Sequence, residues 1–468
     1  MFCRLLIVAV AVPTALTAQG PDLTPLVKHV FARWDSTTVP GCSVGIDRAG
    51  HPRFTRAFGE ADLENDVPNR PETVFEAGSI SKQFTAAATV LLALEGKLNL
   101  EDDVRKYVPE LPTYERPITI RHLLNHTSGL RDWGEIAELA GWPRGTRVHT
   151  HDDVIDILSR QRALNYPPGD KYSYTNSGFN LLAIIVSRVS GKPFATFSRE
   201  RIFQPLGMTH TQWRDDFRRV VKHRAQAYSP AGRGSWQLEM PFENVYGKGG
   251  LLTTVSDLLT WTAMLERPTP AWKALVDSLH VRGRLTNGDT IEYALGLFIS
   301  DYRGLHRVEH SGATAGYRAD LLRFPGRGLA VAVLCNASNA APTQYANAIV
   351  DSLLGPALGP VAARPPRQRP DSVTWKPTAS ELADYVGTYY SPDVETTLQV
   401  SVAKDTLVLF RRAASRFALE PVSRDTFSGF DNRVWFTRDA SGRVTALHVE
   451  GGRAYDVVFE RQAGTPPR

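Results

Sequence analysis

The feature that most restricts the fold is where the hydrophobic period changes along the chain. Strand-like runs stand near the start, Cys42 to Asp47 and Arg53 to Phe58, joined by Arg48-Ala-Gly50 as a hairpin. Strands return only after about residue 290, as Tyr293 to Ile299, Arg307 to His310, Tyr317 to Phe324 and Leu329 to Leu334. Between them runs a helix-rich stretch from roughly Glu101 to Leu265. It follows an apolar helix from about Ser81 to Glu95 that Gly96 ends. Within it, Asn180 to Val189 reads as a helix with Gly191 just beyond, and Thr254-Val-Ser-Asp257 reads as a capping box opening Leu258 to Leu265. Helical spacing also brackets the strands, at Leu23 to Trp34 and at Tyr345 to Leu354, closed by Gly355. That order predicts an α+β unit: one antiparallel sheet built from both ends, flanked by helices and carrying a helical insertion.

Beyond residue 355 the character changes again. A proline-rich stretch, taken as a linker over 356–378, leads to strand after strand: Thr397 to Val402, Thr406 to Phe410, Phe417 to Pro421, Val434 to Thr437, Thr445 to Glu450 and Tyr455 to Glu460. Short strands at this spacing predict a small all-β barrel or sandwich over 379–462, with 463–468 as a tail. At the other end, Arg4, the apolar run Leu5 to Val12 and small residues to Ala18 predict a signal peptide over 1–18, hence an exported chain, periplasmic or secreted. No other stretch predicts a membrane span. A net charge of +5, with 22% charged residues of interspersed sign, argues against a nucleic-acid partner. Cleavage of the leader leaves Cys42 and Cys335 in apolar strands, where buried free thiols are the plainer reading and a bridge is the other.

Three short stretches carry the candidate chemistry. Ser79-Ile-Ser-Lys82 opens the apolar helix, and residues three apart share a helix face, so Lys82 can reach Ser79. A serine at a helix start also lies among free N–H groups that favour an oxyanion. A lysine in a desolvated pocket can lose its proton and activate the hydroxyl. Tyr174-Thr-Asn176 offers a phenol as proton carrier and an amide to bind substrate or orient Lys82. His310-Ser311-Gly312-Ala313 stands at a strand end, where the glycine lets a substrate approach the backbone and the Ala313 N–H can join that of Ser79 as an oxyanion donor. Each stretch alone has an ordinary structural explanation, as a cap, a turn or a strand end.

Together and in this order they resemble the serine β-lactamase and penicillin-binding-protein-like hydrolases, on the class C β-lactamase and D-alanyl-D-alanine carboxypeptidase B branch. Pro40-Gly-Cys-Ser-Val-Gly45, Leu123-Leu-Asn-His-Thr-Ser-Gly-Leu130, Ile202-Phe-Gln-Pro-Leu-Gly-Met208 and Gly249-Gly-Leu-Leu-Thr-Thr-Val-Ser-Asp257 extend the resemblance over residues 25 to 355. It implies Ser79 as nucleophile and Lys82 with Tyr174 as the proton-transfer pair. It also implies Asn176 as substrate contact and His310 to Gly312 on the strand walling the site, with no cofactor or metal. The tail, through Tyr385-Val-Gly-Thr-Tyr389, resembles the lipocalin-like barrel of some members. One departure stands out: the third stretch begins with His310 where β-lactamases carry lysine. Histidine supplies a weaker fixed charge near neutral pH, which tells against efficient β-lactam hydrolysis and leaves ester and peptide substrates open.

The expectation is therefore a serine hydrolase working on a small-molecule or peptide ester or amide through a Ser79 acyl-enzyme. The alternative is a non-catalytic binder of cell-wall peptides or β-lactams on the same fold. Which of Lys82 and Tyr174 is the base stays open, as does the oligomeric state. Other patterns lead elsewhere. Gly41-Cys-Ser-Val-Gly45 matches a nucleophile elbow, yet a strand follows it where a helix is required, so Ser43 is taken as a strand residue. His149-Thr-His151 could share a metal, but Asp152-Asp153 suit a first helical turn without one. Asn125-His-Thr127 and Asn336-Ala-Ser338 match glycosylation acceptors, a reading that presumes a eukaryotic secretory route.

Overall fold

The computed structural model describes residues 22–361, 375–412, 415–430 and 432–463. The signal peptide and most of the proline-rich linker expected from the sequence lie outside the described residues. A short helix α1 (Thr24–Val30) precedes strands β1 (Cys42–Arg48) and β2 (Phe54–Phe58), and the apolar helix α2 spans Ser81–Leu94. The insertion follows, with α3 (Trp133–Leu139), α4 (His151–Ser159), α5 (Asn176–Ser190) and α6 (Val255–Glu266) among its helices. The chain then returns as β3 (Phe298–Tyr302), β4 (Leu305–Thr314), β5 (Tyr317–Phe324) and β6 (Leu329–Cys335), and α7 (Pro342–Leu354) closes the unit.

All pairings in the six-stranded sheet are antiparallel, in the order β3-β4-β5-β6-β1-β2, so the last strand takes the first as its neighbour. Alternation along the strands sets two faces. Val44, Ile46, Val331 and Val333 pack with Val27, Phe31, Ile349 and Val350 of the terminal helices. Ala319, Leu321, Ala332 and Leu334 face the core shared by α2 and the insertion. Cys42 stands opposite Cys335 in the β1–β6 register, and the two form a disulfide across 293 residues of chain. The plainer expectation of free thiols is therefore corrected: two cysteines far apart in sequence become cross-strand neighbours.

Three other expectations change. Tyr293 to Ile299 is not one strand: Tyr293 bridges Phe298 across a turn, and the strand begins at Phe298. The capping box at Thr254 is half formed. Thr254 accepts the Asp257 N–H, but the Asp257 carboxylate accepts from the His210 N–H and the Thr211 hydroxyl instead of reaching back. Asn125 and Asn336 are buried, their side-chain amides donating to backbone carbonyls, so neither is a surface acceptor.

The C-terminal region is a closed eight-stranded barrel of β7 (Gly387–Ser391), β8 (Thr396–Ala403), β9 (Thr406–Arg412), β10 (Ser415–Ser423), β11 (Thr426–Gly429), β12 (Asn432–Arg438), β13 (Val444–Glu450) and β14 (Val457–Arg461). Each strand pairs with the next and β7 with β14. The sequence pattern held six of the eight. β7 and β11 escaped it, being short and lacking apolar alternation. The barrel docks on the insertion through buried charge: Arg131 ion-pairs with Asp393 at 3.0 Å and donates to the carbonyls of Tyr455 and Asp456. No helix among the described residues is long and apolar enough to cross a membrane.

Candidate active site

Ser79 lies in a 3₁₀ turn, Gly78–Ile80, that runs directly into α2. The turn is pressed edge-on against β4. A Cβ at Gly312 would fall 2.0 Å from the Ala77 carbonyl oxygen, and one at Gly78 (φ +53°) would fall 2.5 Å from the Ala313 nitrogen. Both positions must be glycine for the segments to approach so closely. The close approach at Gly312 was expected from a substrate; it comes from the chain's own Ala77–Ser79 turn. Its result is that the Ser79 and Ala313 amides are neighbours beside the hydroxyl, as an oxyanion site requires.

Lys82 is fully buried one turn below. Its ammonium position is fixed by three oxygens: Ser79 Oγ at 3.1 Å, Asn176 Oδ1 at 3.1 Å and the Lys248 carbonyl at 2.7 Å. Burial, reinforced by the Lys248 and Arg453 charges, holds its pKa well below the usual lysine range. The two carbonyl oxygens can only accept. A neutral amine therefore donates to them and turns its lone pair on the Ser79 hydroxyl. Asn176 is presented by the first turn of α5, where Thr175 caps the helix and the Asp132 carboxylate accepts the Asn176 N–H at 2.7 Å.

Tyr174 precedes that cap. Its ring centroid lies 4.7 Å from Lys82 Nζ and 4.2 Å from the His126 ring. Burial pushes the phenol's pKa up, partly offset by hydrogen bonding with Ser79, so it stays protonated at neutral pH. His310 faces the same cluster. Its Nδ1 lies 2.7 Å from the Ser311 carbonyl and its Nε2 3.1 Å from the Tyr293 hydroxyl. Burial and the nearby Lys82 lower its pKa to about 3, so the ring is neutral and donates from Nδ1 while Nε2 accepts.

All of the residues expected from the sequence thus converge: Ser79, Tyr174, Asn176, His310, Ser311, Gly312 and Ala313 line one cavity of about 620 Å³, with Lys82 beneath it. The cavity also takes in Arg144, Lys248, Arg318 and Arg453, which sequence reasoning missed. Lys248 adjoins the Gly249-Gly250 pair, a signal that was visible. Arg453 stands at a hairpin tip of the barrel, and nothing in the sequence says which way the barrel turns. The other patterns lead away from the cavity. The Ser43 hydroxyl donates to the Arg70 carbonyl from within β1. His149 and His151 turn to the carbonyls of Trp142 and Tyr246, while Asp153 completes a capping box with Thr150.

The arrangement is competent for acyl transfer: a hydroxyl with a base at 3.1 Å, a protonated phenol nearby and paired amides for a developing oxyanion. Comparisons with known proteins identify the chain's relatives. A family model described as Beta-lactamase matches residues 26–354, and a second, described only as a domain of unknown function, matches 372–466. Penicillin-binding protein 4* of Bacillus subtilis is 29% identical over 86% of this chain and 92% of its own length. A D-aminopeptidase of Cereibacter sphaeroides is 28% identical over 86% of this chain and 76% of its own. Among solved structures, an octameric penicillin-binding protein homologue from Pyrococcus abyssi superposes with a TM-score of 0.62 at 24% identity, covering 94% of this chain and 99% of that one.

Proposed function

Because this chain belongs to the beta-lactamase family, we propose that it is an exported serine hydrolase in which Ser79 forms an acyl-enzyme with a carboxylic ester or amide. The single observation that carries the reading is the buried Lys82 amine, held by two obligate acceptors and aimed at the Ser79 hydroxyl. Lys82 takes the hydroxyl proton as Oγ bonds to the substrate carbonyl carbon. The carbonyl electron pair moves to oxygen, where the Ser79 and Ala313 amides hold it. The carbonyl re-forms as the bond to the leaving group breaks, and Tyr174 donates that group's proton and recovers one from Lys82. Water then adds to the acyl carbon by the same route and releases the acid. His310, neutral and spent on Ser311 and Tyr293, shapes the wall without supplying charge.

Carboxylic esters, D-amino-acid peptides and β-lactams all present the required carbonyl. The likeness to proteins named D-aminopeptidase and penicillin-binding protein favours peptides of D-amino acids. The Cys42–Cys335 bridge supports export, since disulfides persist in oxidising compartments. The test is labelling by a fluorophosphonate together with turnover of a nitrophenyl ester. The label is expected on the Ser79 peptide, and turnover falls about 10²- to 10⁴-fold in Lys82→Ala. Full turnover by Ser79→Ala overturns the proposal. Recovery of the protein outside the cytoplasm with its N-terminus near Gln19 is expected on export; a retained Met1 on cytoplasmic protein overturns that part.

A further inference from the structure

The stretch Leu123-Leu-Asn-His-Thr-Ser-Gly-Leu130 puts no side chain into the cavity wall, yet one of its residues stands directly behind the reacting groups. His126 follows the short helix Ile120–Leu124 and is fully buried. Its carbonyl accepts the Ser173 N–H at 2.9 Å, and its Nδ1 accepts the Thr175 N–H at 3.3 Å. Both chain neighbours of Tyr174 are thus tied to one residue. The imidazole also packs on the Tyr174 ring, with 4.2 Å between centroids and 36° between planes, and is itself backed by Phe179 at 5.1 Å and Tyr293 at 4.6 Å. Asp132 does the matching work one residue on, accepting the Asn176 N–H at 2.7 Å.

This arrangement carries two local costs. His126 has φ +58°, the left-handed region that a residue with a Cβ enters unfavourably. Burial holds its pKa well below the usual histidine range, so the ring is neutral. With Nδ1 accepting, the ring hydrogen is on Nε2, which has no hydrogen-bond partner among the described residues. A phenyl ring would fill the same space without an unpartnered donor, and glycine would take the same backbone without strain. Neither would offer an acceptor to the Thr175 N–H. Strain of this kind persists where a site needs the geometry it enforces.

We propose that His126 is a positioning residue for acyl transfer: it grips the chain on both sides of Tyr174 and so aims the phenol at the leaving group. The inference rests on the hydrolase reading above. The Tyr174 hydroxyl hydrogen-bonds with Ser79 at the front, so its direction is set from the rear, by its own backbone and by the ring packed on it. A reacting group displaced by about 1 Å loses about 10²-fold in rate, and the two bonds to a rigid, buried residue prevent that shift. His126 does not line the cavity, so it acts through Tyr174 and not on the substrate.

The test compares two esters of one acid, phenyl acetate and 4-nitrophenyl acetate, by kcat/KM on the full chain. Nitrophenolate leaves readily as an anion, whereas the more basic phenolate depends on a proton donor. In His126→Phe, which keeps an aromatic ring and removes the acceptor, the phenyl ester is expected to slow about 10²-fold and the nitrophenyl ester far less. His126→Asn puts an amide oxygen in the place of Nδ1 and tolerates the left-handed backbone, and it is expected to restore most of the loss. Tyr174→Phe shows the same skew between the esters, and adding His126→Phe deepens it no further. Both rates scale alike with the folded fraction, so their ratio reads the site and not the yield; His126→Leu repeats the comparison with a smaller side chain. A merely structural His126 lowers both esters in proportion. That result, a skew in His126→Asn as large as in His126→Phe, or a further skew on top of Tyr174→Phe overturns the inference. Loss of the hydrolase reading shows separately, as wild-type protein that neither takes a fluorophosphonate at Ser79 nor turns over either ester.

Discussion

On the proposed reading Ser79 owes its reactivity to what surrounds it, and two neighbours make that testable. Gly312→Ala sets a methyl 2.0 Å from the Ala77 carbonyl and drives the Ser79 turn off β4. Separating the two oxyanion amides is expected to lower kcat about 10²- to 10³-fold in a protein whose circular dichroism is unchanged. Lys82 sets the pH dependence. Its ammonium form cannot accept the Ser79 proton, so kcat/KM falls as pH drops through its lowered pKa. Lys248 contributes to that lowering. Lys248→Met is therefore expected to move the acid limb of the kcat/KM profile to higher pH, and an unmoved limb would assign the limb to another group. At this scale the sequence was informative, because the reacting groups sit in three compact stretches. What it could not show was the carbonyl of Lys248 as an anchor, since any residue carries that atom.

Elements were legible in proportion to their hydrophobic period. α2 and the central strands β5 and β6 stand out because they are buried along nearly their whole length, β6 as a continuous apolar run. β7 and β11 do not: Gly387–Ser391 and Thr426–Gly429 become strands because the barrel closes through them, a requirement of the neighbours and not of their own residues. The start of β3 was misplaced for a similar reason. Tyr293 is apolar because it packs under the site, 4.6 Å from the His126 ring, not because it lies in the sheet. The β1–β6 pair carries its own prediction. Replacing Cys42 and Cys335 by alanine removes a covalent tie between the two ends of the unit and is expected to cost about 2–4 kcal/mol in chemical denaturation. Dithiothreitol should lower the wild-type midpoint similarly and leave the variant's in place.

For the whole molecule the barrel is part of the site and not an appendage. Its anchor, Arg131–Asp393, adjoins Asp132, which fixes Asn176 and receives the Arg453 loop. Asp393→Ala leaves Arg131 as a buried cation without its carboxylate, a loss of about 3–5 kcal/mol in comparable cases. Limited proteolysis is expected to cut near the barrel's edge in that variant and not in the wild type, with turnover of a nitrophenyl ester declining in parallel. Domain count could be read from the change of period at residue 355, but docking could not, since it depends on single charges in loops.

The sheet order also governs how the protein comes into being. β1 takes as its partner a strand that begins at Leu329, so the first hairpin leaves the ribosome with one long edge bare. At about 5–20 residues per second, that edge waits roughly 15 to 60 seconds for its neighbour to be made. The six-stranded sheet therefore closes only after Leu329–Cys335 has been made, late in the synthesis of the chain.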